Sequence, residues 1–289
     1  VKKFRYSLIL CTVNRTDFLE SFLECLCKQE YKDFELILVD QNLDDRVNKI
    51  VDSFKEYYKI KHIKSEKGLS KARNIGLKHV EGDIIAFPDD DCIYSENMLE
   101  KINDFFNNYN YEILSIKMTN NVPGGRKVQH NVPSQEVNRK NVMKLMASIS
   151  MFYKRNVINK VGGFDERLGL GAKTIFQGGE DYDYPLRAMN KGFKIYYDNT
   201  IEVFHPWDDK DIDQKKNLSE KSYNGGAAEM FLLNKHHYNF IFKLMRITRR
   251  IIIILYYIMR LDIYRAKLSF SILKGMLSHF FYKVELEKK

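Results

Sequence analysis

Asp83-Ile84-Ile85-Ala86-Phe87-Pro88 is a short apolar run that ends in three consecutive carboxylates, Asp89-Asp90-Asp91. A run of this length, bounded by turn residues, reads as a buried strand. Three acids at the end of such a strand repel one another unless a cation sits among them. Hard divalent cations take oxygen ligands, and Mg²⁺ is usually held by one or two carboxylates together with substrate phosphates. The same acids can instead cap the helix that starts near Ser95, since Asp favours helix N-termini. What surrounds the triplet decides how to read it.

Upstream, strand and helix signals alternate. Tyr6 to Thr12, Phe34 to Val39 and Ile60 to Ile63 read as strands. Between them, Leu19, Phe22, Leu23 and Leu26 mark one helical face, and Val47, Ile50, Val51 and Phe54 a second. Leu69 to Val80 is a third helix, which leads into the strand Asp83 to Pro88. This alternation predicts an α/β fold with a mainly parallel central sheet and helices on both faces. Ligands of such sheets bind outside the carboxyl ends of the strands, so Thr12, Asp40 and Asp89 are expected to share one crevice. Downstream, from Glu112 to Lys154, the alternation loosens around a polar loop, Asn120 to Arg139, before a strand at Ser148 to Tyr153. A glycine-rich stretch, Gly162 to Gly179, ends at Glu180-Asp181. A helix then spans Tyr184 to Asn190, and strands follow at Phe193 to Tyr197 and Ile201 to Phe204, the second broken by His205-Pro206-Trp207.

A chain of 289 residues with 44% hydrophobic and 13% aromatic residues has enough apolar material for one large domain with an appendage, which excludes a disordered chain. Cys11, Cys25, Cys27 and Cys92 form no CxxC pair and have no matching His spacing, so they read as reduced thiols of a cytosolic protein. The first residues read directly into a strand, so no signal peptide is expected. The net charge of +9 is lopsided. Residues 1–234 hold 35 basic and 35 acidic side chains, whereas residues 235–289 hold 12 and 3. The basic part is also aromatic and aliphatic, which points to a membrane surface rather than to nucleic acid.

Taken in order, Thr12-Val13-Asn14-Arg15, Val39-Asp40-Gln41, Gly68-Leu69-Ser70-Lys71-Ala72-Arg73-Asn74, Asp89-Asp90-Asp91, Gly178-Gly179-Glu180-Asp181 and His205 form a series. It resembles the family 2 glycosyltransferases of the GT-A fold, in particular bacterial enzymes of capsule, exopolysaccharide or O-antigen synthesis. The resemblance implies a Rossmann-like GT-A catalytic domain over residues 1–237, with a nucleotide-binding half at 1–118, an acceptor-binding half at 119–237, and a basic helical tail at 238–289. It implies that Asp91 binds Mn²⁺ or Mg²⁺ with His205 as a second ligand, and that Asp89 or Asp90 accepts hydrogen bonds from ribose hydroxyls. Lys71 and Arg73, at a helix start, suit phosphate or a pyrimidine carbonyl. Thr12 and Asn14 would line the base pocket, and Arg15 and Asp40 complete the nucleotide set. Most relatives carry an acid at the position of Gln41. Its amide oxygen can still accept the N3–H shared by uracil and thymine, so UDP and dTDP donors both stay open.

Asp181 matches the family's general base, because an acceptor hydroxyl attacks well only as its proton is taken. Glu180, Asp181 and Asp183 can alternatively serve only to stabilise a helix N-terminus. The implied reaction is direct, inverting displacement from a nucleotide-sugar onto a hydroxyl of a lipid-linked glycan. Its acceptor cleft is expected between Gly169–Gly179 and His205–Tyr223, part of it mobile. A sugar nucleotidyltransferase would normally show a glycine-rich basic signature after strand one, and Thr12-Val13-Asn14-Arg15 has no glycine. A non-catalytic membrane-bound nucleotide-sugar-binding protein fits poorly with Asp91, Asp181 and Arg73 together. The tail reads as two helices over residues 239–283. Its longest apolar run, Ile251 to Met259, has nine residues, against about 20 needed to span a bilayer. With Phe270, Leu273, Leu277 and Phe280 as an apolar face, the tail is expected to lie peripherally on the anionic inner face of the cell membrane. Packing on the catalytic domain or on a second copy of the chain is the alternative.

Overall fold

Tyr6–Thr12 (β1) alternates Tyr6, Leu8 and Leu10 with Ser7 and Ile9, and all five are buried, as a strand covered on both faces requires. A computed structural model describes residues 1–119, 132–205 and 218–284. The chain divides into two compact units, Val1–Phe164 with Tyr184–Trp207, and Asp165–Asp183 with Asp208–Lys289.

In the first unit β1 is followed by α1 (Thr16–Cys27), β2 (Phe34–Asp40), α2 (Asn48–Phe54), β3 (Lys59–Lys64), α3 (Leu69–Leu77), β4 (Ile84–Ala86), β5 (Ile93–Tyr94) and α4 (Met98–Asn108). Then come β6 (Ile113–Thr119), β7 (Gln135–Val137), α5 (Val142–Leu145), β8 (Met151–Lys154) and α6 (Arg155–Val161). Helix α7 (Glu180–Asn190) begins in the second unit and ends in the first, which closes with β9 (Ile195–Phe204). The sheet order is β3-β2-β1-β4-β8-β6-β9-β5, with β7 paired to β9. β3, β2, β1 and β4 are parallel, and β8 enters antiparallel between β4 and β6. One face of β1 and β2 packs Leu8, Leu10, Leu36 and Leu38 against Leu19, Phe22 and Leu23 of α1 and Leu99 and Ile102 of α4. On the other face Ile9 and Val39 meet α3. A Cβ at Gly76 would lie 2.5 Å from Ile9 Cγ2, so only glycine lets α3 lie this close.

The parallel half matches the sequence expectation closely. The strand expected at Asp83 to Pro88 keeps only Ile84–Ala86 in the sheet. Where the alternation seemed to loosen there is a buried strand, β6. Its polar Ser115 is accommodated by donating to Leu145 O at 2.7 Å. The two strands expected at 193–197 and 201–204 are one, β9, with an irregularity opposite Ile116/Lys117. The polar loop at 120–139 lies mostly outside the described residues.

The second unit holds α8 (Leu218–Lys235), α9 (Phe240–Met259) and α10 (Ile263–Ser278). Helix α8 has no counterpart in the sequence expectation, because Gly225-Gly226 interrupts it with poor helix formers. That glycine pair has a packing purpose. A Cβ on Gly226 would come within 2.0 Å of Ile272 O, and one on Gly275 within 2.0 Å of Tyr223 O, so α8 and α10 touch backbone to backbone. Ser219 and Ser271 hydroxyls meet at 2.7 Å along the same seam. Phe176, expected in a mobile cleft loop, is buried and packs on Phe231 of α8. The four residues expected to share one exposed face of the last helix separate. Leu273 and Phe280 are buried, whereas Phe270 and Leu277 are exposed. Helix α9 turns two of its cations toward α8, while Arg249 stays exposed. Arg246 pairs with Glu229 at 2.6 Å and Lys243 donates to Asn234 at 2.5 Å. Ile241, Leu244, Met245, Ile251, Ile252, Leu255, Ile258 and Met259 are exposed. Among the described residues, no helix is long and apolar enough to cross a membrane.

Candidate active site

Thr12 at the end of β1 is level with Asp40 at the end of β2, which is level with Lys64 at the end of β3. β4 stops at Ala86 beside Leu8, so the chain from Phe87 to Asp91 runs past the pleated ladder into a turn, closed by Cys92 N–H on Asp89 O at 3.2 Å. The triplet therefore sits beyond the carboxyl ends of the parallel strands, where such sheets gather ligands.

Its three carboxylates have different surroundings. Asp90 accepts from Thr12 Oγ1 at 2.6 Å and from Arg15 Nη1 at 3.2 Å. Burial still pushes its carboxyl above the usual range. Asp91 takes the same Arg15 nitrogen at 2.5 Å and lies 3.2 Å from His205 Nε2. Burial raises Asp91 too, but His205 and Arg15 outweigh it and hold the carboxyl low. The imidazole of His205 is raised in turn, because Asp91 overcomes its burial. Asp89 faces Arg73 at 3.7 Å. Burial pushes its carboxyl up to about 6, against the pull of Arg73. Arg15 reaches the triplet from a turn in which Asn14 has φ +59° and its N–H is held by Asn42 Oδ1 at 2.8 Å.

One oxygen each from Asp89 and Asp91 and one nitrogen of His205 lie within 4.8 Å of one another. Asp91 Oδ1 is buried, and its contact with the His205 imidazole at 3.2 Å falls short of a well-aligned hydrogen bond. Two carboxylate oxygens and an imidazole around such an atom suit a divalent ion of the Mg²⁺ or Mn²⁺ kind. The grouping brings in Asp89, which the resemblance pairs with ribose, and turns Asp90 toward Thr12 and Arg15 instead.

Asp40 is fully buried, and all its acceptor capacity is used within the protein. Oδ1 takes the backbone and side-chain amides of Asn42 at 2.9 and 2.7 Å, and Oδ2 takes His62 and Lys64 at 3.1 and 2.9 Å. It orders the crevice wall. Gln41 Oε1 accepts Gly68 N–H at 2.9 Å, tying β2 to the start of α3. On α3, Lys71 Nζ reaches Glu66 at 2.5 Å near the surface. Arg73 is buried, its guanidinium 5.8 Å from the ring of Phe87 and 5.4 Å from that of Phe164. Asn74 fixes Phe164 by bonding its backbone N–H and C=O at 2.6 and 3.0 Å.

Asp181 lies in the second unit. The structure starts α7 at Glu180, four residues earlier than the sequence suggests, so Asp181 stands in the first helical turn. Gly179 before it has φ +92°, and a Cβ there would lie 2.6 Å from Leu232 Cδ1. Sequence reasoning missed the ion cluster beside this turn, in which Lys235 Nζ bridges Asp165 and Asp183 at 2.6 Å each. No spacing rule links residues 165, 183 and 235. The expected cleft segment at 206–217 lies outside the described residues.

The family model for Glycosyl transferase family 2 matches residues 7–164. The minor teichoic acid biosynthesis protein GgaA of Bacillus subtilis is 30% identical over 186 residues, 59% of this chain and 42% of that protein. The poly(ribitol-phosphate) beta-N-acetylglucosaminyltransferase TarS of Staphylococcus aureus is 29% identical over 119 residues, 39% of this chain and 21% of that protein. The chain thus spans less than half the length of these curated relatives. Among solved structures, S. aureus TarS 1–349 in complex with UDP-GlcNAc aligns at TM-score 0.60 and 18% identity, covering 96% of this chain and 92% of that one. The mannosyltransferase PcManGT of Pyrobaculum calidifontis, in complex with GDP-Man and Mn²⁺, aligns at 0.62 and 13%, covering 97% and 88%. These two likenesses are of fold.

Proposed function

We propose a reaction from one premise: this chain belongs to glycosyl transferase family 2 and is a glycosyltransferase. It moves a sugar, with inversion, from a UDP- or dTDP-sugar to a hydroxyl of a glycan or polyol-phosphate polymer of the bacterial surface, assembled on a lipid carrier. The observation that carries the donor side is the clustering of Asp89, Asp91 and His205 at the strand ends, with Arg73 and Arg15 beside them. UDP is favoured by the UDP-GlcNAc-bound relative and a phosphate-bearing acceptor by the names of the teichoic acid relatives.

Thr12, Asn14 and Gln41 line the nucleoside pocket, whose wall Asp40 holds rigid. Lys71 and Arg73 bind phosphate oxygens, and buried Arg73 does so with its guanidinium already aligned between two rings, so little order is lost on binding. Mn²⁺ or Mg²⁺ held by Asp89, Asp91 and His205 would supply positive charge against the leaving diphosphate. Asp181 accepts the proton of the attacking hydroxyl. In this division of labour residues 1–118 serve the donor and 119–237 the acceptor. The tail from 238 onward rests on the anionic cytoplasmic face of the membrane, where the outward apolar side of α9 enters the interface. Asp181→Asn tests the scheme. It is expected to abolish transfer while leaving UDP affinity nearly unchanged, and full turnover by that variant would remove Asp181 from the reaction.

A further inference from the structure

We infer that Lys235 and His236, where α8 ends, are positioning residues for Asp181. The inference rests on Asp181 being the base and concerns what holds it. Leu232 and Lys235 of α8, with His236 just past its end and still donating its N–H to Leu232 O at 2.9 Å, follow the i, i+3, i+4 spacing that places side chains on one helical face. Together they grip the turn that carries Asp181 at two points. Before Asp181, Gly179 packs on Leu232, where a Cβ would come 2.6 Å from Leu232 Cδ1, and its φ of +92° favours glycine. After it, Asp183 Oδ1 receives Lys235 Nζ at 2.6 Å and faces His236 Nε2 at 2.9 Å. Between these points the turn is closed on itself, since the N–H groups of Tyr182 and Asp183 both donate to Gly179 O, at 3.1 and 2.9 Å.

The grip is buried. Asp183 is 1% exposed and His236 4%. Lys235 also binds Asp165 at 2.6 Å, and Asp165 takes Arg167 at 2.7 Å. Two carboxylates thus meet two permanent cations, a balanced set that tolerates burial. Asp181, two residues before Asp183, is only half-buried. A carboxylate that must take a proton during bond formation loses rate when it moves by about 1 Å. The cluster fixes the backbone on either side of Asp181.

The test measures kcat, donor KM, UDP affinity and thermal midpoint for Asp183→Asn, His236→Gln, Lys235→Arg and Asp181→Asn in the full chain. Asp183→Asn and His236→Gln preserve size and some hydrogen bonding, so both are expected to fold. Each should lower kcat about 10- to 100-fold, with donor KM and UDP affinity within about twofold of the parent. Lys235→Arg keeps the bridging cation and should retain most of kcat. Folded variants with parental kcat would overturn the positioning role, and so would losses that fall on UDP affinity as heavily as on kcat. Asp181→Asn separates the two levels. If it turns over fully, the assignment of the base has failed. If it is dead while Asp183→Asn is fully active, only the positioning inference has failed.

Discussion

Two carboxylate clusters in this molecule use the same side chains in opposite ways. Around Asp89-Asp90-Asp91, one arginine serves two acids at 3.2 and 2.5 Å from a half-exposed position, Arg73 stands 3.7 Å from Asp89, and His205 meets a buried Asp91 oxygen at 3.2 Å. Around Asp165 and Asp183, a lysine that is 11% exposed bridges both acids, with Arg167 and His236 completing the set. The first cluster draws its counter-charge from a half-exposed arginine, a more distant arginine and a histidine, partners that a bound cation could displace. The second is balanced and closed, which suits holding a turn in place. The number of acids does not distinguish a binding site from a brace; how tightly their counter-charges are held does.

Lys235→Met should have the largest effect, because it leaves two buried carboxylates without their shared cation. A loss of about 3–5 kcal/mol is expected, measured by urea unfolding. A loss below about 1 kcal/mol would put the second cluster on the same footing as the first. Next, Asp91→Ala removes the acid nearest His205 and should erase the Mn²⁺-dependent part of UDP affinity, on the order of 100-fold, by calorimetry with and without Mn²⁺. Equal affinities in both conditions would show that the open cluster holds no metal.

Acid sharpens the contrast further. Burial raises the Asp165 carboxyl, but Arg167 and Lys235 overcome this and hold it at about 2, below the unfolded value of about 3.9. A depressed carboxyl stabilises fully above its unfolded value and loses that contribution as pH falls through its folded one. Asp165 should therefore add about 2 kcal/mol above pH 4 that disappears towards pH 2. In Asp165→Asn, stability plotted against pH should be flatter in that window. The smallest effect is expected from Arg15→Gln. Arg15 is half-exposed, so stability should change by less than about 1 kcal/mol. Mn²⁺ should bind the nucleotide-free protein more tightly, since a competing cation has gone, and weaker binding would show Arg15 to be a support rather than a competitor.

The parallel half of the fold was legible because continuous apolar strands such as Tyr6–Thr12 and Phe34–Asp40 end in polar residues, and that pattern is local. The Asp91–His205 pairing came only through resemblance, since 114 residues separate the two. The grouping of Asp89 with them depends on side-chain direction within a turn, which no period encodes. β6 escaped because a buried serine sits in its middle, satisfied by Leu145 O far along the chain. Helix α8 escaped because its glycines are poor helix formers whose value lies wholly in how closely α10 approaches. The Lys235 bridge was invisible for the same reason: it joins residues 70 and 52 positions away.

Helix α9, with Arg246 and Lys243 turned toward α8 and Ile241, Ile251, Ile252 and Ile258 exposed, has a consequence for handling in water. Salt weakens forces between exposed charges but strengthens the avoidance of water by apolar surface. The chain should therefore be retained more strongly on a phenyl resin as ammonium sulfate rises, and be released by mild detergent rather than by dilution alone. Its tendency to self-associate should grow with salt, since salt also screens the mutual repulsion of chains of net charge +9.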